Sequence, residues 1–246
     1  MAPGCQSRST RRTTVKICEI CQTAFVQSAR VRAEIPACEC LKKANEAAAT
    51  EQRQREVFQM AEQKVTGLGM GAMADIDFQR PAVEGWESPR EAILTHKKNL
   101  VALGPVGTAK TTLLKQIAYH SVLGGLSIRG GVVLQMLHDL KDFGHSAKVR
   151  VYEESLRGGH VLFLDDLDKI LGSPYELSLL YLLTNHYWSN GRSIVYSMNM
   201  TPTQLDKKMS TYKGDDQSSS AQAIISRLMS RAQVVNCDGP DLRGRL

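Results

Sequence analysis

The chain has 246 residues, of which 42% are hydrophobic, and its formal net charge is +6 at pH 7. No apolar run approaches the roughly 18 to 20 residues that a membrane-spanning helix needs. No apolar stretch follows the basic amino terminus, as it would in a secretory signal peptide. We therefore expect a cytoplasmic protein, neither membrane-spanning nor secreted, with one main domain and a small additional module.

The positive charge is concentrated at the amino-terminal end. Residues 1–43 hold eight Lys or Arg residues and three Glu, a surplus of +5. Such a surplus suits contact with nucleic-acid phosphates or with an acidic partner, and a solvated basic tail is the alternative. Residues 1–16 are rich in Ser, Thr and Arg without apolar periodicity, which predicts a disordered tail.

Four cysteines follow this tail in two close pairs. Cys18, Cys21, Cys38 and Cys40 give the pattern C-x₂-C, sixteen residues, then C-x-C. Four thiolates are a typical ligand set for a tetrahedral structural Zn²⁺, and a segment with so few apolar residues needs a metal to fold. The spacing predicts a zinc site, with free cysteines in a flexible tail as the alternative.

A long helix is predicted next. From Leu41 to about Val65 the sequence is rich in Ala, Glu, Gln and Lys and has neither Gly nor Pro, a composition that favours helix. The cysteines and this connecting helix together form a predicted module at 17–66. The glycines that follow predict a hinge at 67–74, and the main domain is predicted at 75–246.

The main domain alternates helical patterns with short apolar runs at 99–103, 161–164, 193–197 and 233–236. This alternation predicts an α/β fold, a parallel sheet flanked by helices. The four-residue run VLFL at 161–164 is typical of a strand buried on both faces. The polar, Ser-rich segment 206–222 is predicted to be an exposed loop.

A phosphate-binding loop lies between the first of these runs and a helix-like segment. It has the sequence GPVGTAKTT and comprises Gly104, Pro105, Val106, Gly107, Thr108, Ala109, Lys110, Thr111 and Thr112. Backbone N–H groups at the start of a helix bind phosphate, Lys110 would neutralise the β and γ oxygens, and the Thr111 hydroxyl would bind Mg²⁺. Ala109 replaces the second obligatory Gly of the pattern and adds a methyl group, which favours weaker nucleotide binding.

Two carboxylates, Asp165 and Asp166, end the run VLFLDD. At the end of a buried strand and downstream of a phosphate loop, Asp165 is predicted to hold Mg²⁺, usually through water, and Asp166 to orient or deprotonate the attacking water. A solvated turn is the alternative.

Asn199 follows the next apolar run, SIVYS, and precedes Thr-Pro. It is predicted to hydrogen-bond the γ-phosphate or the attacking water, with a turn-forming Asn as the alternative.

Taken together, GPVGTAKTT, VLFLDDLD, GRSIVYSMNMTPTQL and AIISRLMSRAQVVNCDGPDLR resemble the short AAA+ ATPases of the helicase-loader group, the DnaC, DnaI and IstB relatives. The resemblance covers roughly 75–246. It implies a AAA+ P-loop domain that binds ATP and Mg²⁺ and hydrolyses ATP as a homo-oligomer. Asn199 would be its sensor 1, and Arg227, with Arg231 in reserve, would reach into the neighbouring subunit's site.

The sequence departs from the family pattern at three places. Ala109 replaces Gly, the strand before Asn199 reads SMN where TSN is expected, and His186 stands where an Arg is expected.

The resemblance implies delivery of a DnaB-family replicative helicase onto single-stranded DNA. The zinc module would dock on the helicase, although its basic residues, Arg30, Arg32, Lys42 and Lys43, are an alternative DNA contact. The basic stretch of Lys141, Lys148 and Arg150 would line a DNA channel or form a solvated helix face. Two alternative functions remain: an IstB-like transposition accessory ATPase that acts on duplex DNA, and a nucleotide-gated adaptor that does not hydrolyse ATP.

Overall fold

The computed structural model describes residues 6–10, 13–17, 24–28, 39–71, 76, 90–93, 98–142, 147–212 and 215–241. The chain divides into two compact units, Met1–Gln59 and Met60–Leu246. Their boundary lies inside the first helix, α1 (Glu39–Thr66), and not at the predicted hinge.

The first unit contains a three-stranded antiparallel sheet formed by β1 (Gln6–Thr10), β2 (Thr13–Ile17) and β3 (Ala24–Ser28). The central strand is β2. Its Ile17 lies opposite Gln6 of β1, and its Thr13 lies opposite Ser28 of β3. The prediction of a disordered tail over 1–16 is therefore wrong for β1 and β2. The run TTVKI is rich in β-branched residues, whose strand preference outweighs the polar composition.

The zinc prediction stays a prediction. Cys18, Cys21 and Cys38 lie outside the described residues, and Cys40 lies in the first turn of α1. Within the described parts of the chain, no group of three or more His, Cys, Asp or Glu side chains could hold a metal ion. The predicted connecting helix is confirmed, since α1 runs without interruption to Thr66.

The end of α1 and the turn after it belong to the core of the second unit. Ala61 and Val65 lie on one face of the helix, and they are buried together with Leu68 and Met70. Residues 67–71 are therefore fixed to this core, and residues 72–74, the rest of the predicted hinge, lie outside the described residues. The glycines there turn the chain, and the apolar residues between them fix the turn to the core.

The second unit is built on a five-stranded sheet with the order β10-β4-β7-β6-β5. Every neighbouring pair in it is parallel. Its strands are β4 (Leu100–Leu103), β5 (Ile128–Val132), β6 (Val161–Asp165), β7 (Ser193–Met198) and β10 (Gln233–Asn236). Four of these confirm the predicted runs, and β5 was not predicted.

Helices cover both faces of this sheet. They are α2 (Lys110–Leu123), α3 (Val133–Asp142), α4 (Ala147–Arg157), α5 (Pro174–Ser189), α6 (Pro202–Ser210) and α7 (Ser218–Met229). Along β6, Val161 and Phe163 join the cluster that contains α2, while Leu162 and Leu164 join the cluster that contains α3 and α5. The alternation confirms the predicted α/β architecture, with one core on each side of the sheet.

The segment 206–222 was predicted to be an exposed loop, but most of its described residues lie in helices and short strands. The end of α6 is followed by a two-stranded hairpin, β8 (Thr211–Tyr212) with β9 (Asp215–Asp216), and then by α7. Thr201 and Gln204 form a capping box that starts α6 at Pro202, and Leu205 and Met209 are fully buried. The prediction was wrong because the apolar residues are widely spaced among polar ones. No described helix is long and apolar enough to cross a membrane.

Candidate nucleotide-binding site

The carboxyl ends of β4, β6 and β7 lie side by side at one edge of the sheet. The predicted phosphate loop, Gly104–Thr112, follows β4, the acid pair ends β6 and Asn199 follows β7. We call this the phosphate edge. Ligands of open α/β sheets bind outside the carboxyl ends of the strands, so the structure brings three separate motifs together where a nucleotide would bind.

The phosphate loop keeps its turn despite Ala109. Ala109 has a φ of 61°, in the left-handed region that favours glycine, and Gly107 has a φ of +85°. For a residue with a Cβ atom this conformation costs about 1 to 2 kcal/mol. Ala109 precedes α2 and carries no side-chain acceptor, so the first N–H groups of that helix are available to phosphate oxygens.

Two loop glycines are in close contact with the segment after β10. A Cβ atom on Gly104 would overlap the carbonyl of Cys237, and one on Gly107 would overlap the carboxylate of Asp241. Sequence reasoning gave Cys237 no role. The structure shows that its backbone sets how closely the strand β4 and the loop can approach the end of β10.

Lys110 is the first residue of α2 and is buried. Its Nζ donates a short hydrogen bond to the carbonyl of Pro105, which also accepts from the Thr108 hydroxyl at 2.9 Å. Burial lowers the pKa of Lys110, and the charges of Cys237 and the nearby carboxylates oppose this shift. A partly desolvated ammonium group interacts strongly with an anion, so the loop is arranged to receive phosphate.

Asp165 is buried beneath Lys110 and Thr111 on the end of β6, with 3% of its surface exposed. The Thr111 hydroxyl donates to its Oδ2 at 2.9 Å and lies 3.2 Å from Oδ1, and the Ser197 hydroxyl donates to Oδ1 at 2.5 Å. A hydroxyl and a carboxylate side by side are the oxygen ligands that Mg²⁺ prefers. The residues present therefore fit the predicted magnesium site, and Ser197, which sequence reasoning missed, orients the carboxylate.

Asp166 follows in the left-handed conformation, with a φ of 54°. Its backbone N–H donates to the Ser197 hydroxyl at 2.8 Å, so the same serine positions both acids. Burial, followed by the charges of Asp165 and Asp168, raises the pKa of Asp166. A carboxylate with a raised pKa is a better proton acceptor near neutral pH.

Asn199 is held by Asp168, a second residue that sequence reasoning missed. Its Nδ2 lies 3.0 Å from Oδ2 and 3.2 Å from Oδ1 of Asp168, and its backbone N–H donates to Oδ1 at 3.2 Å. Asp168 is itself buried, and its carbonyl accepts from Lys208 at 2.6 Å. An amide held by its NH₂ group presents its oxygen on the other side, where it can accept a hydrogen bond from water.

Arg227 is not part of the phosphate edge of its own chain. Asn99, directly before β4, donates from Nδ2 to the carbonyls of Arg227 and Leu228, both at 2.9 Å. The end of α7 therefore lies at the amino end of β4, whereas the phosphate loop follows its carboxyl end. The four residues of β4 separate the end of α7 from the phosphate loop by about 13 Å, at roughly 3.3 Å per residue. The reserve candidate Arg231 is exposed in the turn before β10, with a φ of 59°.

His186 replaces the expected Arg in a cationic setting. Its Nε2 lies 3.1 Å from the carbonyl of Arg157 and 3.4 Å from Nη1 of Arg192. Burial lowers the pKa of His186, the hydrogen bond with the Arg157 carbonyl opposes the shift, and the charges of the two arginines add to it. A third guanidinium at this position would increase the repulsion.

Residues 32–246 match the family model described as IstB-like ATP binding protein. The fold is similar to that of DnaI, with 20% identity, 77% of this chain and 93% of that chain covered, and a TM-score of 0.56. It is similar to the DnaC helicase loader, with 15% identity, 61% of this chain and 86% of that chain covered, and a TM-score of 0.50.

A third similar structure is the replication initiator DnaA bound to AMPPCP and single-stranded DNA, at 15% identity and a TM-score of 0.52. The match covers 63% of this chain and 44% of DnaA, so the chain spans less than half the length of that relative. A search of curated proteins gave no match. The likenesses confirm the predicted fold class, a AAA+ P-loop domain with a parallel sheet flanked by helices.

Proposed function

The chain belongs to the family of IstB-like ATP-binding proteins, and we propose that it hydrolyses ATP when its copies assemble and loads a replicative helicase onto DNA. The observation that carries the hydrolysis proposal is the separation of Arg227 from the phosphate edge by the length of β4. An arginine that stabilises charge on the transferred phosphoryl group is commonly supplied by a neighbouring molecule. Arg227 would therefore serve a second copy and not its own site.

Within one copy, the phosphate edge supplies the remaining groups. The loop amides and Lys110 would bind the β and γ phosphates. The hydroxyl of Thr111 and the carboxylate of Asp165 would hold Mg²⁺, which neutralises phosphate charge when it is bound.

Asp166 and Asn199 would act on the attacking water. The amide oxygen of Asn199 would orient it, and Asp166, whose pKa is raised, would accept its proton. The new P–O bond would form as the bond from the γ-phosphorus to the bridging oxygen breaks.

Helicase loading is the finer part of the proposal. Its support is the similarity of the fold to the DnaC helicase loader and to DnaI, together with the positive surplus over residues 1–43. The partners would be a DnaB-family helicase, bound through the cysteine module with its Zn²⁺, and single-stranded DNA, bound by the assembled ATPase domains. DnaA in complex with single-stranded DNA is a precedent for such binding by a similar fold.

Mixing two inactive variants tests hydrolysis between copies. Lys110→Ala removes the phosphate lysine, and Arg227→Ala removes the arginine. We expect each to lower assembled ATP turnover by about 10²-fold to 10³-fold or more. Mixed together they should regain part of it, because the Lys110→Ala copy supplies its arginine to the intact phosphate loop of the other.

Arg231→Ala is the comparison variant, since Arg231, the reserve candidate, is exposed in the turn before β10. If Arg227 is the shared arginine, Arg231→Ala should leave turnover unchanged. Full activity of Arg227→Ala, or a mixture no more active than its components, would rule out an arginine shared through Arg227.

Co-precipitation with the replicative helicase of the same host, with and without ATP, tests the loading role. Binding that needs residues 1–66 is expected, and no binding under either condition would exclude a loader.

The family match also favours a second candidate, an accessory ATPase for transposition. ATP-dependent assembly on duplex but not on single-stranded DNA would select this function.

A third candidate is the adaptor without hydrolysis, motivated by the strained Ala109. Nucleotide binding with no turnover in any assembly would select the adaptor.

A further inference from the structure

The side chain of Arg227 is fixed on the outer surface of α5. Its Nε donates to Oδ1 of Asn185 at 3.0 Å, and its Nη1 donates to the carbonyl of Ala223 at 2.7 Å. The guanidinium lies 4.8 Å from the ring centre of Tyr181 and 5.6 Å from that of Trp188. We call Asn185, Tyr181 and Trp188 the arginine cradle.

Every one of these contacts is uncharged. An amide oxygen, a backbone carbonyl and two aromatic faces surround the cation, and in the described part of the chain no carboxylate forms a salt bridge with Arg227. Aromatic faces attract a cation without neutralising it. The cradle therefore orders the side chain and leaves its full charge available to an incoming anion.

The backbone beneath the cradle is fixed as well. Asn99 holds the carbonyls at the end of α7, as described above, and the Trp188 indole donates to the Ser230 hydroxyl at 3.3 Å. A flexible arginine loses side-chain entropy when it binds a phosphate. Here most of that ordering exists before any ligand arrives, which is a form of preorganisation.

The cradle is accessible from outside the chain. Tyr181 is 37% exposed and Trp188 is 51% exposed. An open cavity of about 560 Å³ beside them is lined by Trp188, Ser226, Arg227, Met229 and Ser230. A large aromatic residue exposed beside an arginine is typical of the energetic centre of a protein interface.

We propose that Asn185, Tyr181 and Trp188 are positioning residues that hold Arg227 ready for the γ-phosphate of ATP on a second copy of the chain. The inference rests on the proposed function and adds residues to it. The occupant of this surface is the phosphate edge of that second copy, whose bound ATP–Mg²⁺ supplies the negative charge that an uncompensated guanidinium attracts.

Asn185→Asp is the sharpest single change, because it keeps the size of the side chain and places a carboxylate against the guanidinium. It would neutralise Arg227 without removing it. We expect kcat of assembled turnover to fall by about 10-fold to 100-fold with KM for ATP unchanged, the loss expected for misplacing a catalytic group. The kcat of Trp188→Ala should fall by a similar factor. Trp188→Phe, which keeps an aromatic ring, should retain most of the activity.

Mixed assemblies show which copy carries the defect. In a mixture of Lys110→Ala with Asn185→Asp, the competent sites belong to Asn185→Asp copies, and the Lys110→Ala copies serve them with normal arginines. In a mixture of Arg227→Ala with the double variant Lys110→Ala, Asn185→Asp, the altered cradle must serve the competent sites. With equal amounts of the two variants and random neighbours, we expect the first mixture to reach about half the turnover of Lys110→Ala mixed with wild type, because the other half of its competent sites receive an altered cradle. We expect the second to be at least about tenfold below Lys110→Ala mixed with Arg227→Ala.

The outcomes separate the two proposals. If Arg227→Ala retains normal turnover, the shared arginine of the proposed function fails. If Arg227→Ala is inactive but the second mixture is as active as its reference, the arginine is shared and the cradle inference is wrong. A loss well beyond half in the first mixture, with the second mixture as active as its reference, would show that Asn185 supports its own site, which also overturns the inference. Light scattering on every mixture establishes that equal assemblies are compared.

Discussion

The two ends of β4 differ in almost every physical property. The phosphate edge is buried and densely charged, with Lys110, Asp165 and Asp168 all under 10% exposed. The arginine cradle at the other end is half exposed, and its single cation is held by neutral groups. One end has acids and a lysine, and at the other end no carboxylate among the described residues forms a salt bridge with Arg227.

We infer from this difference how the proposed catalysis would be divided between copies. At the phosphate edge, Lys110 is held by the carbonyl of Pro105 and Asp165 by the hydroxyls of Thr111 and Ser197, an arrangement suited to a ligand of defined charge. A partly buried cation without a carboxylate partner in the described chain is suited to an anion that arrives from outside the chain. The proposal predicts that damage at the phosphate edge affects the copy that carries it, whereas damage at the cradle affects its neighbour.

The largest effect is expected from Asp165→Asn. The substitution removes a carboxylate that binds Thr111 and Ser197 and that would hold Mg²⁺. Turnover should fall by about 10²-fold to 10³-fold, measured with saturating ATP and Mg²⁺. The variant should still activate Arg227→Ala in a mixture, since its cradle is intact. Failure to do so would show that the two ends are not independent.

A smaller loss is expected from Asp168→Asn. The new amide places an NH₂ group near the NH₂ group of Asn199, so the sensor would turn away from its present orientation. Residues that orient a catalytic group typically contribute about 10-fold to 100-fold. The kcat should fall with little change in nucleotide affinity. Asp139→Asn, on α3, is the control, and equal activity of the two variants would show that Asp168 does not position Asn199 for the reaction.

Asn99→Ala tests the support beneath the cradle. It leaves the carbonyls of Arg227, Leu228 and Ser230 and the N–H of Ile194 without their side-chain partner. The free energy of unfolding should fall by about 1 to 3 kcal/mol, measured by urea denaturation. Asn190→Ala is the matched control because it loses one exposed hydrogen bond. Equal destabilisation by both variants would contradict the assigned role.

The smallest effect concerns pH, through His186 on α5. Its pKa in the folded chain is lowered from 6.5 by burial, so as pH falls the unfolded chain takes up the proton first. The histidine's contribution to stability is present above about pH 6.5 and is lost as pH falls through its lowered pKa. The difference in unfolding free energy between wild type and His186→Gln should therefore decrease from pH 7.5 to about pH 5.5. A difference that stays constant would show that His186 does not titrate in this range.

The phosphate edge was predictable because its residues are local in sequence. A loop, an acid pair and an asparagine each directly follow an apolar run, and parallel strands bring such positions to one edge. The partners Ser197 and Asp168 were missed because a serine within a strand and a third acid after two others carry no distinctive pattern.

The cradle could not be predicted. Arg227 is 42 residues from Asn185 and 46 from Tyr181, and neither α5 nor α7 marks these residues by spacing.

The strand β5 was missed for a different reason. Its sequence contains two consecutive glycines, which weaken any strand pattern, yet a Cβ atom on Gly130 would overlap the carbonyl of Phe163. The glycine is required by that close approach.

The placement of Asn99 and the phosphate loop at opposite ends of β4 gives any assembly a direction. Each copy would receive an arginine from one neighbour and give its own to the other, so the contact is head-to-tail and its two surfaces are different. In an open row of such copies one terminal site has no donor, whereas a closed ring leaves none incomplete. Ring closure would therefore join the two ends of the row and complete one further site.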